Sequence, residues 1–261
     1  MSDLIKLKFD GACAEIILNV PERRNALRHE MWAAIPGLIA EAVADPATHV
    51  VVIHGGTAGA FAAGADISEF STRYADRAGR EEAAGAISAA LTAVEMCPKP
   101  VIAAIEGACV GGGMSLAAAC DLRFAAEDAR FAITPAKLGL VYPFGDTRRL
   151  VDIVGAAAAK DMLFTGRIFP APEAMYLRLI DRLVPSGEAL AYARAYAADI
   201  SAVSQWSVRA IKTMVARVEH GQRDDSEEAR EHFLSGFAGE DFEEGYRAFL
   251  DKRRAEFPFK R

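Results

Sequence analysis

The chain has few cysteines, and their spacing argues against a metal site or a disulfide framework. Only four of its 261 residues are cysteine. They are Cys13, Cys97, Cys109 and Cys120. No two of them form a CxxC pair, and none is grouped with histidine in the pattern of a ligand cluster. We therefore expect reduced, mostly buried thiols and no bound metal.

The chain also lacks a surplus of basic residues. Its 30 Lys and Arg are outnumbered by 36 Asp and Glu, which gives a net charge of −6. Because binding to a phosphate backbone requires a concentrated excess of cations, we do not expect a nucleic-acid partner. The local exception is the C-terminal tail, with Lys252, Arg253, Arg254, Lys260 and Arg261.

Targeting and nucleotide-binding patterns are missing as well. The N-terminus has no basic segment followed by an apolar one, and the long apolar stretch 101–120 is interrupted by Glu106 and by Gly111–Gly113. We therefore expect a cytoplasmic protein with no membrane partner. The run 107–113 does not give GxGxxG, and no GxxxxGK followed by Ser or Thr occurs, so nucleotide-binding fingerprints are lacking.

What the chain does contain is alternation of apolar strands and helices over its first half. Strands are predicted at residues 4–9, 14–18, 50–53, 101–105 and 122–125, and helices at 29–44, 80–96 and 114–119. The first two strands should form a hairpin, and the Pro36-Gly37 pair should bend or divide the first helix. Strands separated by helices imply parallel pairing in an α/β fold.

Beyond Thr147 the sequence is almost wholly helical in pattern. Helices are predicted at residues 147–154, 157–164, 171–179, 187–202, 205–219, 226–233 and 241–254. We expect a core domain over 1–200 and a helical C-terminal region over 201–261. The last helix carries Phe242, Tyr246, Phe249 and Leu250 at helical spacing, so this face should pack on its own domain or on a neighbouring subunit.

Two glycine junctions are the most informative feature. The segments 61–66 and 107–114 each follow a β-branched strand and lead into a predicted helix. A junction of this kind points free backbone N–H groups outward. Two such junctions can hold one oxygen between them, as an acyl-transfer or enolate-forming enzyme requires.

Several motifs, taken in order, resemble the enoyl-CoA hydratase/isomerase (crotonase) superfamily. They are PERRNALRHEMW at 21–32, AFAAGADISEF at 60–70, KPVIAAIEGACVGGGMSLAAACDLRFAAEDARF at 99–131, LGL at 138–140, RLVDIVG at 149–155 and FTGR at 164–167. The resemblance implies an α/β fold, a crotonase-like spiral of ββα units with a helical C-terminal region. It also implies a homotrimer or a dimer of trimers.

The resemblance assigns residues to the site. Ala65 and Gly112 match the positions whose N–H groups bind the thioester oxygen in that family. Coenzyme A enters as part of the substrate, with no permanently bound cofactor. Its binding residues would be Arg24, Ala26, Ala63, Ala65, Asp66, Ile67 and Ser68, together with Phe249 and Lys252, which match a segment that reaches CoA bound mainly by a neighbouring subunit.

The departures from the family pattern concern the acid and base. Where family hydratases have two glutamates, this chain has Ser115 and Ala136. An unaided serine hydroxyl titrates far too high to replace a carboxylate, and alanine transfers no proton. We therefore expect weak or no hydration of simple enoyl-CoA substrates. The second position also serves the positional isomerases, so Ala136 argues against that activity too.

Tyr142 and Asp146 lie in the loop that lines the acyl pocket of the superfamily. Tyr142 falls at the pocket tyrosine of methylmalonyl-CoA decarboxylase, and Asp146 at the nucleophile of 4-chlorobenzoyl-CoA dehalogenases. The alternatives are structural. Tyr142 could be a ring of the pocket wall, and Asp146 could be the N-cap of a helix beginning near Arg148. Arg148 and Arg149 should be solvated or paired with acidic neighbours.

We conclude from the sequence that the chain is an acyl-CoA enzyme that works through an oxyanion-stabilised thioester enolate, with Ala65, Gly112, Tyr142 and Asp146 as catalytic residues. Two alternatives remain open. One is a malonyl-type decarboxylase that uses Tyr142, because decarboxylation forms the enolate without a base. The other is an acyl-CoA binding protein without catalysis.

Overall fold

The structure is a computed structural model that describes residues 3–259, so Lys260 and Arg261 of the basic tail lie outside the described residues. Over this range the chain forms nine strands and ten α-helices. The strands are β1 Ile5–Asp10, β2 Cys13–Leu18, β3 Val50–His54, β4 Val101–Ile105, β5 Ala108–Val110, β6 Leu122–Ala126, β7 Arg130–Ala132, β8 Phe169–Pro170 and β9 Arg182–Val184. The helices are α1 His29–Ala44, α2 Phe70–Arg73, α3 Arg77–Glu95, α4 Gly112–Ala119, α5 Phe144–Thr165, α6 Ala171–Tyr176, α7 Ala189–Ser201, α8 Gln205–Glu219, α9 Glu227–Gly236 and α10 Glu240–Leu250.

The larger sheet has the strand order β1-β2-β3-β4-β6-β9. β1 and β2 pair antiparallel as the predicted hairpin, whose turn contains Gly11 at φ +61°. Every later pair in this sheet is parallel. The mixed α/β fold predicted from the alternation of strands and helices is therefore confirmed.

The larger sheet is covered on both faces, which explains why its central strands are apolar throughout. All five residues of β3 and all five of β4 are buried. Val51 and Ile53 belong to the core that includes α1 and α3, whereas Val50 and Val52 belong to a second core with α7. Continuous burial of this kind is typical of parallel strands between two helical layers.

The smaller sheet has the order β5-β7-β8 and positions the start of α4. β5 pairs parallel with β7, and the Gly111 amide that follows β5 donates to the Ala132 carbonyl at 2.9 Å. The sequence patterns did not predict any of these three strands. Each has only two or three residues, too few for an alternation to be seen.

Two helix predictions required correction or refinement. The predicted division of α1 at Pro36 is wrong, since the helix is continuous from His29 to Ala44. The free energy gained by burying one face of this helix, which includes Ile35 and Leu38, outweighs the loss of the backbone hydrogen bond that proline cannot make. In contrast, α5 is interrupted at Gly155, where φ is +78°, and this agrees with the predicted break between residues 154 and 157.

The helices after β9 follow the predicted order. α8 begins and ends where the sequence pattern placed it, while the strand β9 between α6 and α7 was not predicted. On α10 the apolar side chains remain largely exposed, with Tyr246 at 57% and Phe249 at 80%. Among residues 3–259, no helix is long and apolar enough to cross a membrane. The division of the chain at residue 200 stays a prediction.

Candidate active site

The two glycine junctions lie against each other. Ala62 donates to the Ala108 carbonyl and Val110 donates to the Ala62 carbonyl, both at 2.9 Å, so the two loops pair locally like strands. A Cβ atom on Gly111 would lie 3.7 Å from the Gly64 Cα, and φ is +51° and +105° at these two glycines. The positive φ values favour glycine at both positions, which lets the two backbones come this close.

The backbone amides of Ala65 and Gly112 are both available as donors. Leu27 donates to the Gly64 carbonyl at 2.7 Å and Asp66 donates to the Leu27 carbonyl at 2.9 Å, which leaves the Ala65 amide between them. Gly112 is the first residue of α4, where amides lack an intrahelical acceptor. Within the described residues, neither amide donates a backbone hydrogen bond. Each can therefore donate to a bound oxygen.

Glycine at position 112 also avoids tight contacts with neighbouring side chains. A Cβ atom there would lie 3.1 Å from Cζ2 of Trp32 and 3.4 Å from Cδ1 of Leu27. At the next residue, Gly113, a Cβ atom would lie only 2.8 Å from the Cβ and the carbonyl oxygen of Ala62. The glycine run lets the start of α4 approach the 61–66 loop more closely than any other residue type allows.

Asn25 fixes the loop that leads to Ala65. Its side chain is fully buried, accepts from the Val20 amide at 2.8 Å and donates to the carbonyls of Gly55 and Ala60 at 2.9 and 3.0 Å. Its φ is +55°, a left-handed conformation that asparagine tolerates better than most residues. The sequence analysis did not single out this residue, because one buried asparagine gives no periodic signal.

Most of the residues predicted to bind CoA form one rim beside this loop. The backbone carbonyl of Arg24 accepts from the Ala63 amide at 3.0 Å. Arg24, Ala63 and Ile67 are all exposed. Ala26 is half-buried between them and the bridge that pairs Leu27 with Ala65.

Asp66 serves this rim as a structural anchor. Its carboxylate accepts from the Arg23 guanidinium at 2.9 and 3.0 Å and from the amide and hydroxyl of Ser68 at 3.0 and 2.7 Å. The hydrogen bond from Ser68 is the main reason that the pKa of Asp66 lies below its usual value. The carboxylate is buried and thus fixes the loop, while Arg23, which the sequence analysis did not select, is half-exposed.

Phe249 and Lys252 lie near the C-terminal end of the described chain. Phe249 lies on α10, and Lys252 follows that helix with φ +54°. Within the described residues, none of the extensive contacts between elements joins α10 to the elements that carry the rim. Their predicted role toward CoA bound by a neighbouring subunit stays a prediction.

Behind Gly112, three side chains form a buried cluster. Ser115 lies one turn along α4 from Gly112, and its Oγ donates to Oδ2 of Asp146 at 2.6 Å. The Tyr142 hydroxyl lies 2.8 Å from the same Oγ. Ser115, Asp146 and Tyr142 are 3%, 5% and 9% exposed, so the cluster is largely shielded from water.

The N-cap interpretation of Asp146 is wrong. Helix α5 begins at Phe144, which places Asp146 inside its first turn. The carboxylate bonds to side chains and not to the amides of its own helix. The Tyr142 hydroxyl bonds to Ser115, and the role of Tyr142 in the site stays a prediction.

The hydrogen bonds of the cluster have a direction. When Asp146 is ionised it can only accept, so the single Ser115 proton points to Asp146 and the Tyr142 hydroxyl donates to Ser115. Burial raises the pKa of Asp146 above its usual value, against the lowering effects of Ser115 and Arg149. Burial likewise raises the pKa of Tyr142, which keeps that residue neutral. The pair therefore provides one carboxylate that can exchange a proton and one neutral hydroxyl.

A second row of charges supports Asp146. Arg149 donates to Oδ1 of Asp146 at 3.3 Å and to Oε2 of Glu95 at 3.0 and 2.6 Å. Arg148 also binds Glu95 and lies 3.2 Å from Asp152. The prediction that both arginines pair with acidic neighbours is confirmed. The spacing of three residues between Asp146 and Arg149, which lets their side chains meet on one helix, was visible in the sequence. Glu95, on a different helix, was missed.

Ala136 is not part of this cluster of hydrogen-bonded side chains. It belongs to the short 3-10 turn Pro135–Leu138, is exposed, and its carbonyl accepts from the Gly139 amide at 3.2 Å. The loop that follows is apolar and open to solvent, with Val141 92% and Phe144 86% exposed. No proton-transferring side chain occupies position 136.

Comparison with known proteins settles the family. The family model described as Enoyl-CoA hydratase/isomerase matches residues 8–260. The chain belongs to the enoyl-CoA hydratase/isomerase family. The crotonase-superfamily resemblance seen in the sequence motifs is therefore confirmed, and with it the assignment to acyl-CoA enzymes.

Relatives of this enoyl-CoA hydratase/isomerase family member have more than one activity. A crotonyl-CoA hydratase of Syntrophomonas wolfei is 34% identical over 257 residues, which cover 97% of each chain. A peroxisomal Delta(3,5)-Delta(2,4)-dienoyl-CoA isomerase of Arabidopsis thaliana is 36% identical over 195 residues, 70% of this chain and 69% of the relative. A crystal structure of a protein assigned to the same family, from Hyphomonas neptunium, superimposes with a TM-score of 0.96 at 61% identity and covers 99% of this chain and 98% of that one.

Proposed function

We propose that the protein shifts a carbon–carbon double bond along the acyl chain of a CoA thioester, with Asp146 as the group that moves the proton. The observation that carries the proposal is the Asp146 carboxylate itself. It lies 2.6 Å from the hydroxyl of Ser115, one helical turn from Gly112, in a buried cluster where its pKa is raised. A base with a raised pKa beside an oxyanion site suits proton abstraction next to a thioester.

The first step is supported by the two available amides. Ala65 and Gly112 would both donate to the thioester carbonyl oxygen, whose negative charge grows as the enolate forms. Fixed donors aimed at a developing charge stabilise the transition state more than the substrate. No side chain is required for this step, which agrees with the small residues at both positions.

A single carboxylate is sufficient for a 1,3-proton shift. Asp146 would take a proton from the α-carbon of a 3-enoyl thioester, and the electrons of that C–H bond would enter the conjugated enolate. Return of the same proton to the γ-carbon gives the 2-enoyl thioester and restores the carboxylate. Hydration differs because it needs one group to activate water and another to protonate carbon.

The hydrogen-bond order of the cluster supports this role. Ser115 is not an unaided serine, because it donates to Asp146 and accepts from Tyr142. We therefore infer that Ser115 holds the carboxylate in place and that Tyr142 presents a neutral hydroxyl to the acyl chain. The expectation that Ala136 argues against an isomerase gives way here to the proposal that Asp146 supplies the missing base.

The decarboxylase alternative is less well supported by this geometry. A malonyl-type substrate would bring its own carboxylate to Tyr142, whose hydroxyl bonds to a serine that in turn bonds to Asp146. Two carboxylates in one poorly hydrated site repel each other. Loss of carbon dioxide is accordingly an outcome that the experiment below must test and not the one we expect.

The experiment uses the purified protein with 3-hexenoyl-CoA, crotonyl-CoA and methylmalonyl-CoA in D₂O. We expect 3-hexenoyl-CoA to become a conjugated thioester with little deuterium at carbon, because the same proton returns to the acyl chain, and we expect the Asp146→Asn variant to lose this reaction. Fast hydration of crotonyl-CoA, carbon dioxide from methylmalonyl-CoA, or tight CoA-ester binding without any turnover would each refute the isomerase proposal. Ser68→Ala, at the rim, is the matched control for CoA binding and should leave the chemical step intact.

We also infer that the chain assembles as a homotrimer or a dimer of trimers through its C-terminal helices. Support comes from the exposed apolar faces of α8 to α10, which no other part of the described chain covers, including Ile211 at 61% and Phe249 at 80% exposed. Light scattering after size-exclusion chromatography tests the assembly. Lys252→Ala should then weaken CoA binding only in the assembled protein.

A further inference from the structure

Arg149 joins two carboxylates that lie in different parts of the fold. One is Asp146 in the buried cluster, and the other is Glu95 at the end of α3. The Arg149 side chain is 10% exposed, whereas Glu95 is 23% exposed. The shorter contacts, at 2.6 and 3.0 Å, go to Glu95, and the longer one, at 3.3 Å, goes to Asp146.

The guanidinium of Arg149 is therefore bound more closely by Glu95 than by Asp146. Nε and Nη2 of Arg149 both donate to Oε2 of Glu95, and these two bonds restrict the orientation of the guanidinium plane. The remaining Nη1 group then faces Oδ1 of Asp146, on the side of the carboxylate opposite to Ser115. Asp146 is therefore held between a neutral donor at one oxygen and a partly neutralised cation at the other.

We propose that Arg149 is a positioning residue for Asp146 and that Glu95, through Arg149, sets how much positive charge Asp146 receives. The inference rests on the proposed function of Asp146 as the proton-transferring group. It adds two residues, neither of which contacts the acyl chain, that tune this group from behind.

The groups that face Asp146 can be named element by element. Helix α4 contributes Ser115, the loop before α5 contributes the Tyr142 hydroxyl, and α5 itself contributes Arg149. Behind Arg149, α3 contributes Glu95, which Arg148 also binds. The only other charge joined to this group in the described chain is Asp152, 3.2 Å from Arg148.

The two residues should act on Asp146 in opposite directions. Removing Arg149 leaves burial unopposed by a cation, so the pKa of Asp146 should rise further. Removing the charge of Glu95 leaves Arg149 with Asp146 as its remaining acidic partner, so the pKa of Asp146 should fall. A merely structural role for either residue would lower activity at every pH and move neither limb of the profile.

The test measures the pH dependence of kcat/KM for the isomerisation of 3-hexenoyl-CoA. We expect Arg149→Gln to lower kcat at least tenfold, with little change in KM, and to move the acidic limb to higher pH. Glu95→Gln should move the same limb to lower pH, and Arg149→Lys should recover part of the loss. Arg167→Gln, which removes an arginine paired with Asp161 and Glu173 on the surface, is the charge-matched control and should move nothing.

A second readout separates this inference from the proposed function. Carboxyl ¹³C NMR titration of Asp146 in the wild type, Arg149→Gln and Glu95→Gln reports its pKa directly, without any substrate. If the pKa of Asp146 shifts in opposite directions in the two variants and the wild type does not isomerise 3-hexenoyl-CoA, the role of Arg149 and Glu95 is supported and the isomerase proposal is refuted. An unchanged Asp146 titration, or shifts of one sign in both variants, would overturn the role of Arg149 and Glu95 even if the enzyme is active.

Discussion

Replacement of Asn25 tests whether the loop that carries the Ala65 amide depends on one buried side chain. Asn25→Ala removes three hydrogen bonds of 2.8, 2.9 and 3.0 Å in a fully buried place. It leaves the Val20 amide and the Ala60 carbonyl without a partner among the described residues, while the Gly55 carbonyl still accepts from the Ala58 amide at 3.2 Å. An orphaned buried group costs about 1–3 kcal/mol. The three losses share one site and are not additive, so we expect about 3 kcal/mol from them together.

The backbone adds a separate contribution. At φ +55°, alanine is strained by roughly 1 kcal/mol where glycine is not. Asn25→Ala should therefore lose about 4 kcal/mol of unfolding free energy, and Asn25→Gly about 3 kcal/mol. Such a loss is a large part of the roughly 5–15 kcal/mol that stabilises an ordinary domain.

Urea unfolding at one fixed protein concentration measures both variants against the wild type. We expect lower midpoints with an unchanged slope, and alanine below glycine. A loss of less than about 1 kcal/mol for Asn25→Ala would show that the three bonds do not support the fold as described. Equal midpoints for alanine and glycine would show that the left-handed backbone carries no cost at this position.

Three further predictions concern the site and its surroundings. The raised pKa of Asp146 means that the folded protein binds its proton more tightly than the unfolded chain, so stability falls as pH rises through that window. Asp146→Asn should then be at least as stable as the wild type at pH 7 in thermal unfolding, with the advantage gone below about pH 4, while turnover falls at least a hundredfold. Gly113→Ala, whose Cβ would lie 2.8 Å from Ala62, should lower the free energy of unfolding by about 1–3 kcal/mol. The control Gly85→Ala, which has open space on α3, should raise it by up to about 1 kcal/mol, and urea unfolding measures both variants. The ammonium of Lys99 donates to the carbonyls of Ala42 and Asp45 at 2.8 and 2.7 Å, and burial lowers its pKa to about 8. The folded protein therefore loses this proton at lower pH than the unfolded chain, so the stability of the wild type should increase as pH rises from about 8 to 10.5. Lys99→Met should abolish this increase.

Sequence patterns predicted the long elements well because each contains enough residues to show a period. The strand at Val101–Ile105 and the helices at His29–Ala44 and Gln205–Glu219 have the bounds that the patterns indicate. The strands Ala108–Val110 and Arg130–Ala132 exist because neighbouring segments pair with them, and nothing within three residues reveals that pairing. Tertiary structure also decided the outcome at Pro36. Burial of one face of its helix outweighed the low helix propensity of proline, so the helix was not divided.

For the site, the sequence singled out some of the residues, but neither their arrangement nor the supporting residues Asn25 and Glu95. Ser115, Tyr142 and Asp146 were each visible as separate positions, and the 31 residues between Ser115 and Asp146 conceal a hydrogen bond of 2.6 Å. Glu95 lies still further away, 54 residues before Arg149. Contacts of this kind arise where α3, α4 and α5 meet, and one chain read alone contains no signal for that meeting.

The backbone pairing of residues 62 and 110 has a consequence for how such an enzyme changes its chemistry over evolutionary time. Main-chain amides cannot be mutated away, so the part of the catalyst that recognises a thioester survives nearly any exchange of side chains around it. Acids and bases can then be lost on one side of the site and regained on another, as we propose for Asp146, while the backbone amides that would stabilise an enolate stay in place.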